Sequence, residues 1–153
     1  MVDIENYLEN YGKEIGLTDL KFNEQGICSL CFDSEIDVDI IYKKEQDQCI
    51  FAAPVIYLPA DGQGELLRKL MIENVFGIAT AGCNFGIEEE YDRIVISYTF
   101  ITSTFTFDLF KTVLGNFVDL VEEWQKKCEN MLLVTDDSTP TTNNTPITNM
   151  QFV

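Results

Sequence analysis

One stretch limits the possible folds more than any other. Phe110, Val113, Leu114, Phe117, Val118, Val121, Trp124 and Cys128 recur at intervals of three and four residues. That spacing predicts a single amphipathic helix of five turns with one broad apolar face. A face of that size must be covered, and the preceding segments read as strands. ICSLCF follows the turn residues Asn23 to Gly26, and IDVDIIY alternates Ile36, Val38 and Ile40 with Asp37 and Asp39. QCIFAAPVIYL is a continuous apolar run broken by Pro54, which marks an edge or a bulge because proline cannot donate to a ladder. Ala79 to Ile87 and Arg93 to Ile101 read as two further strands joined by the acidic turn EEEYD. Two more helices complete the pattern. One carries Ile4, Tyr7, Leu8, Tyr11 and Ile15 on one face, and the other is ELLRKLMIENVF after the turn Pro59 to Gly64.

The resulting order is α-β-β-β-α-β-β-α. It predicts an α+β domain with a twisted, mainly antiparallel sheet flanked by helices. Residues 1–132 form this domain. Residues 133–153, rich in Thr, Asn and Pro and without periodicity, read as a disordered tail. In the second helix Leu66, Leu67, Leu70, Met71 and Val75 cover about half the circumference at 100° per residue, and Ile72 and Phe76 widen the arc. Such a helix needs cover on more than one side, and a second subunit is the economical source.

Charge and residue usage narrow the function. With 10 basic and 26 acidic residues the net charge is −16, which excludes nucleic acid and disfavours anionic membrane surfaces. No apolar run approaches the roughly 20 residues needed to span a bilayer, and MVDIENYLENYG lacks the features of a signal peptide. A cytosolic protein is expected, with its five cysteines as reduced thiols. There is no histidine, so the usual general base, the usual metal ligand and every Ser–His or Cys–His dyad are missing.

The remaining candidate chemistry is weak. Cys28 and Cys31 have C-x2-C spacing but no second ligand pair, and on a strand an offset of three puts them on opposite faces. Asp33, Glu35, Asp37 and Asp39 lack the glycine and terminal glutamate of a calcium loop. DGQGELLRKL lacks the GK[ST] ending of a phosphate-binding loop. Glu88, Glu89, Glu90 and Asp92 suit a charged hairpin turn as well as a cation site, and no carboxylate pair stands out as a glycosidase pair. No enzyme, metal or cofactor is expected. The pattern fits a module that binds protein through apolar patches and sheet edges.

The order of elements, together with LLRKLMIENVFGIATAGCNFGIEEEYDRIVISYTF and FKTVLGNFVDLVEEWQKK, resembles the small acidic class I chaperones of bacterial type III secretion, the family of the Tir chaperone. Asn74, Thr80, Gly82, Asp92 and Arg93 in the first stretch carry the likeness, with Phe117, Val118 and Trp124 in the second. It covers about Ile4 to Cys128. The resemblance implies a cytoplasmic bacterial homodimer without catalytic activity. Such a dimer binds the N-terminal segment of a secreted effector in extended form and delivers it to the secretion apparatus, including its ATPase. A regulator or other binding module on the same fold is the alternative. Carried onto this chain, the dimer contacts expected are Leu66, Leu67, Leu70, Met71, Val75, Phe76, Ile78, Ala79 and Ala81. The effector contacts expected are Tyr7, Tyr11, Ile27, Leu30, Phe32, Ile36, Val38 and Ile40.

Overall fold

A computed structural model describes residues 3–135. Its elements are α1 (Ile4–Glu14), β1 (Ile27–Phe32), β2 (Ile36–Lys43), β3 (Gln48–Tyr57), α2 (Gln63–Glu73), β4 (Asn84–Glu88), β5 (Arg93–Ile101) and α3 (Phe107–Thr135). The five strands form one sheet in the order β1-β2-β3-β5-β4, and every pairing is antiparallel. The α+β architecture and the order of elements are those expected from the sequence.

The strand alternation sorts side chains between two faces. Cys28 and Leu30 of β1, Ile36, Val38 and Ile40 of β2, and Cys49, Phe51, Ala53 and Val55 of β3 are buried. Their neighbours Ser29, Cys31 and Asp37 are exposed. The buried face lies under α3, which crosses β3 and β2 and is itself contacted by α1 and α2. The other face is lined by half-buried or exposed residues such as Asp39, Ile41, Ile50, Ala52 and Ser97, as suits an antiparallel sheet with one solvated side. Phe110, Leu114, Phe117, Val121, Trp124 and Cys128 of α3 are buried as the periodicity requires. Each large side chain so covered contributes about 1.5–3 kcal/mol. The helix starts where the Thr106 hydroxyl accepts from the Leu109 N–H at 3.2 Å. It continues to Thr135, so its last turn overlaps the first residues of the expected tail. The rest of that tail lies outside the described residues.

Pro54 acts in both of the ways its chemistry allows. The β3–β5 register shifts between Pro54 and Ile56, which is a bulge. The β2–β3 ladder ends at the Asp39–Ala52 pair, so beyond it β3 is paired on one side only, where a missing N–H costs nothing. The Pro54 carbonyl accepts from Gln125 Nε2 at 3.1 Å and ties the bulge to α3. The segment Leu17–Phe22, unassigned in the sequence, is drawn onto α1 at Gly12. A Cβ there would lie 2.7 Å from Leu20 Cβ and 2.9 Å from the Leu17 carbonyl oxygen.

The β2–β3 and β4–β5 hairpin loops close alike. A 3-10 turn ends in an aspartate with left-handed backbone, Asp47 at φ 51° and Asp92 at φ 50°. Asp47 also accepts hydrogen bonds from Ser103 Oγ, at 2.5 Å, and from the Thr102 hydroxyl. These bonds, the Ser103 one first, hold its carboxyl below the usual range. A depressed folded-state pKa means that the stabilisation is complete above the unfolded value of about 3.9 and is lost as pH falls through the lower folded-state value. Asp47→Ala is therefore expected to lower the urea midpoint at pH 7, with the gap to wild type closing in acid. A gap that stays constant down to pH 2 would contradict this assignment.

All five cysteines are free, and Cys31 alone is exposed. Cys28 and Cys31 point to opposite faces, as their spacing on a strand predicts. Burial pushes the Cys49 thiol up to about 12 and the Cys83 and Cys128 thiols up to about 11. Native protein is expected to react with a thiol reagent such as DTNB at one site per chain, and Cys31→Ser should remove that reaction. Rapid labelling of several sites would contradict the packing.

Candidate functional site

The most unusual surface is built by the segment from α2 to β4. Leu66 and Leu70 are each 2% exposed and anchor α2 in the protomer's own core, with Leu67 half-buried beside them. The family resemblance implies that Leu66 and Leu70 stand at a subunit contact. In the structure the protomer itself covers them, because they lie on the side of α2 that faces its core. The opposite arc is bare: Met71 is 61% exposed, Ile72 55% and Val75 51%. The expected continuation of the helix through Phe76 does not occur. Asn74 ends α2, and Phe76 takes a left-handed backbone at φ 58°, a conformation that a bulky residue rarely adopts.

The strand expected from Ala79 starts only at Asn84. Residues 78–82 form a turn instead. Gly77 and Gly82 both have positive φ, and a Cβ on Gly77 would lie 3.0 Å from Gly82 Cα. The Gly82 N–H donates to the Gly77 carbonyl at 2.8 Å, and Cys83 N–H donates to the Thr80 carbonyl at 2.9 Å. Thr80, fully buried, donates its hydroxyl to the Cys83 carbonyl. The Asn74 side-chain carbonyl accepts from Phe85 N–H at 2.9 Å and joins the end of α2 to β4. These bonds fix a turn that holds Phe76 (91% exposed) and Ile78 (82%) out into solvent, with Ala79 and Ala81 exposed beside them. β4 continues as the outermost strand, paired on one side only, and Ile87 on it is exposed.

The residues expected to meet an effector are divided. Leu30, Ile36, Val38 and Ile40 belong to the protomer's core. Amphipathic alternation marks a covered face but does not say whether the cover is the same chain or another. Tyr7 and Tyr11 are half-buried against α3. Tyr7 Oη donates to the Phe105 carbonyl at 3.2 Å, and both rings pack on Phe110. Ile27 and Phe32 are partly accessible at the ends of β1, the other outermost strand. Sequence reasoning missed a groove on the far side of α1. It holds about 1010 Å³ between α1 and the segment Thr18–Gly26, with Leu20, Phe22, Tyr42 and Lys44 in its lining. Lys44 pairs with Glu5 at 3.3 Å and Lys13 with Glu9 at 2.7 Å along it. Its only signal in the sequence is the pair Leu20 and Phe22 in an otherwise polar stretch.

Among the described residues, no three His, Cys, Asp or Glu side chains are grouped to hold a metal ion. No described helix is long and apolar enough to cross a membrane. The acidic turn holds an ion pair of Glu88 with Arg93, whose guanidinium lies 4.7 Å from the centre of the Tyr91 ring.

Comparisons with known proteins agree with this architecture. Residues 6–125 match the model of the Tir chaperone protein (CesT) family. The transcriptional anti-antiactivator ExsC of Pseudomonas aeruginosa is 25% identical over 123 residues, 80% of this chain and 83% of that protein. The fold matches the crystal structure of the ExsC–ExsE complex with a TM-score of 0.71 at 24% identity, over 80% of this chain and 91% of that one. It matches the HopA1–SchA chaperone–effector complex with a TM-score of 0.65 at 12% identity, over 80% and 93%. The chain belongs to the Tir chaperone protein (CesT) family.

Proposed function

We propose that two copies of this chain pair through the face formed by α2, the 74–83 turn and β4, and that the pair is the unit that holds an effector. The observation that carries the reading is the bare apolar arc of Met71, Val75, Phe76 and Ile78. Soluble monomers seldom expose contiguous apolar patches beyond a few hundred Å². The buried members of the expected contact set, Leu66 and Leu70, then support the interface from beneath.

The dimer receives the N-terminal chaperone-binding segment of a secreted protein in extended form. Such a segment has two suitable surfaces, the free edge of β1 with Ile27 and Phe32 at its ends and the groove beside α1. A strand added to β1 gains main-chain hydrogen bonds, and the groove's Leu20, Phe22 and Tyr42 take apolar side chains. Ordering a long segment costs free energy, so a wide contact surface is required. Held this way, the effector stays soluble in the cytoplasm until it is handed to the secretion apparatus and its ATPase. Co-expression with the N-terminal region of a candidate effector tests the reading. A stable complex of two chaperone chains per effector segment, with the segment protected from protease, is expected. A monomeric chain that leaves every such segment insoluble would refute it.

The relative named a transcriptional anti-antiactivator favours a second role. On that reading the chain also binds a regulatory protein, and effector and regulator compete for it. Displacement of a bound regulator by added effector segment would support this, and simultaneous binding of both would refute the competition.

A further inference from the structure

Beside the apolar turn the protomer has an open cavity of about 230 Å³ lined mainly by apolar side chains, Ala81, Cys83, Val113, Phe117 and Leu120, with Tyr98 and Asn116 as its polar members. It lies between α3 and the inward face of β5, next to Gly82, whose bare Cα faces the Tyr98 ring. A cavity of about 150 Å³ is enough to hold benzene, so this one has room for a phenyl ring. Phe76, on the same turn as Ala81, does not fill it, because that ring is 91% exposed. The exposed ring and one wall of the cavity, Ala81 and Cys83, therefore sit on one short segment, residues 76–83, while β5 and α3 supply the other walls.

We propose that Phe76 of each protomer seats in this cavity of a second copy, an inference that rests on the dimer reading above. A two-fold contact is self-complementary, so if one ring enters the partner's cavity the reverse contact forms at the same time. Charge points to the same occupant. A chain of net −16 repels its own copy wherever carboxylates face each other, whereas the run from Asn74 to Ile87 contains no charged residue. The area is also sufficient. Met71, Ile72, Val75, Phe76 and Ile78 are each more than half exposed, a patch on the scale of the about 800 Å² per partner that a standard interface buries.

Two measurements on the full chain test the proposal. The first places p-benzoylphenylalanine at position 76 and irradiates a mixture of ¹⁴N- and ¹⁵N-labelled protein. Adducts between differently labelled chains are expected on the peptide containing Val113 to Leu120. Adducts confined to residues 136–153, to α2 or to the same chain would overturn the seating. The second compares dimer dissociation constants. Phe76→Ala, which empties the cavity, and Val113→Phe, which fills it from within, are each expected to weaken the dimer about tenfold or more. The double variant should recover much of that loss, because the new ring occupies the space that Phe76 has left. Strictly additive effects, or a Phe76→Ala dimer as tight as wild type, would overturn the seating but leave the dimer reading standing. A wild-type chain that is monomeric at all concentrations would remove both.

Discussion

Replacing Met71 by glutamate and Ile78 by aspartate is expected to produce a folded monomer. In the protomer Met71 is 61% exposed and Ile78 is 82% exposed, so neither change removes core packing, and substitutions at such positions usually alter stability by about 0.5 kcal/mol or less. In a dimer built on this face both carboxylates would be buried without a partner. Truncating a hot-spot residue at the centre of an interface costs about 2 kcal/mol or more, and burying an unpaired charge costs more again. Dissociation should shift by at least about a hundredfold. Light scattering across a concentration series reads the mass, and circular dichroism shows whether the fold is intact. Ile15→Asp, at a 45% exposed position just after α1, an element outside this face, is the control and should leave the mass unchanged. A double variant that still runs as two chains would place the interface elsewhere.

The largest expected effect on stability lies at Phe51. Its ring is fully buried at the centre of β3, 5.1 Å from Phe100, 5.7 Å from Phe110 and 5.8 Å from Phe117 between ring centres. It therefore joins the sheet to α3 through two aromatic contacts, Phe110 and Phe117, and packs on Phe100 of the neighbouring β5. Phe51→Ala should cost about 3–5 kcal/mol through lost transfer energy and the cavity left behind. That is a large share of the about 5–15 kcal/mol that holds a domain together. In a chain of this size the thermal midpoint should fall by roughly 10–15 °C. The comparison must be made at one protein concentration, because any dimerisation couples to unfolding. A drop of only a degree or two would mean that the core repacks around the gap.

The sheet and the long helix were legible because their signals are local. Ile36, Val38 and Ile40 alternate with aspartates, and Phe110 to Cys128 keep helical spacing over five turns. Segment 74–83 was not legible in the same way. Its apolar and small residues read as helix and then strand, but Phe76 breaks the helix with a left-handed backbone, and Thr80 and Asn74 redirect the chain by hydrogen bonds to Cys83 and Phe85. Those bonds depend on where β4 lies, and no window of sequence contains that information. The expected surface residues divide for a related reason. Leu66 and Leu70 share a helix with Met71 and an apolar character with it, yet the position of α3 decides which are covered. Val38 and Ile40 belong to the core for the same reason. The groove beside α1 escaped notice because a close approach at Gly12, not any periodicity, brings Leu20 and its neighbours over the helix.

The strand order also has a kinetic consequence. β1, β2 and β3 form a meander, and β4 and β5 form a hairpin, so each group can assemble from neighbouring residues. The ladder between β3 and β5 joins them across the whole interval from Leu58 to Asp92 and is the most extensive pairing in the sheet. Closing a loop of that length loses chain entropy before its contacts form, so this docking is the slow step expected in refolding. Until it completes, β3 and β5 each present an unpaired edge rich in Ile, Val and Phe. A newly made chain is thus vulnerable to edge-to-edge aggregation until the two groups dock.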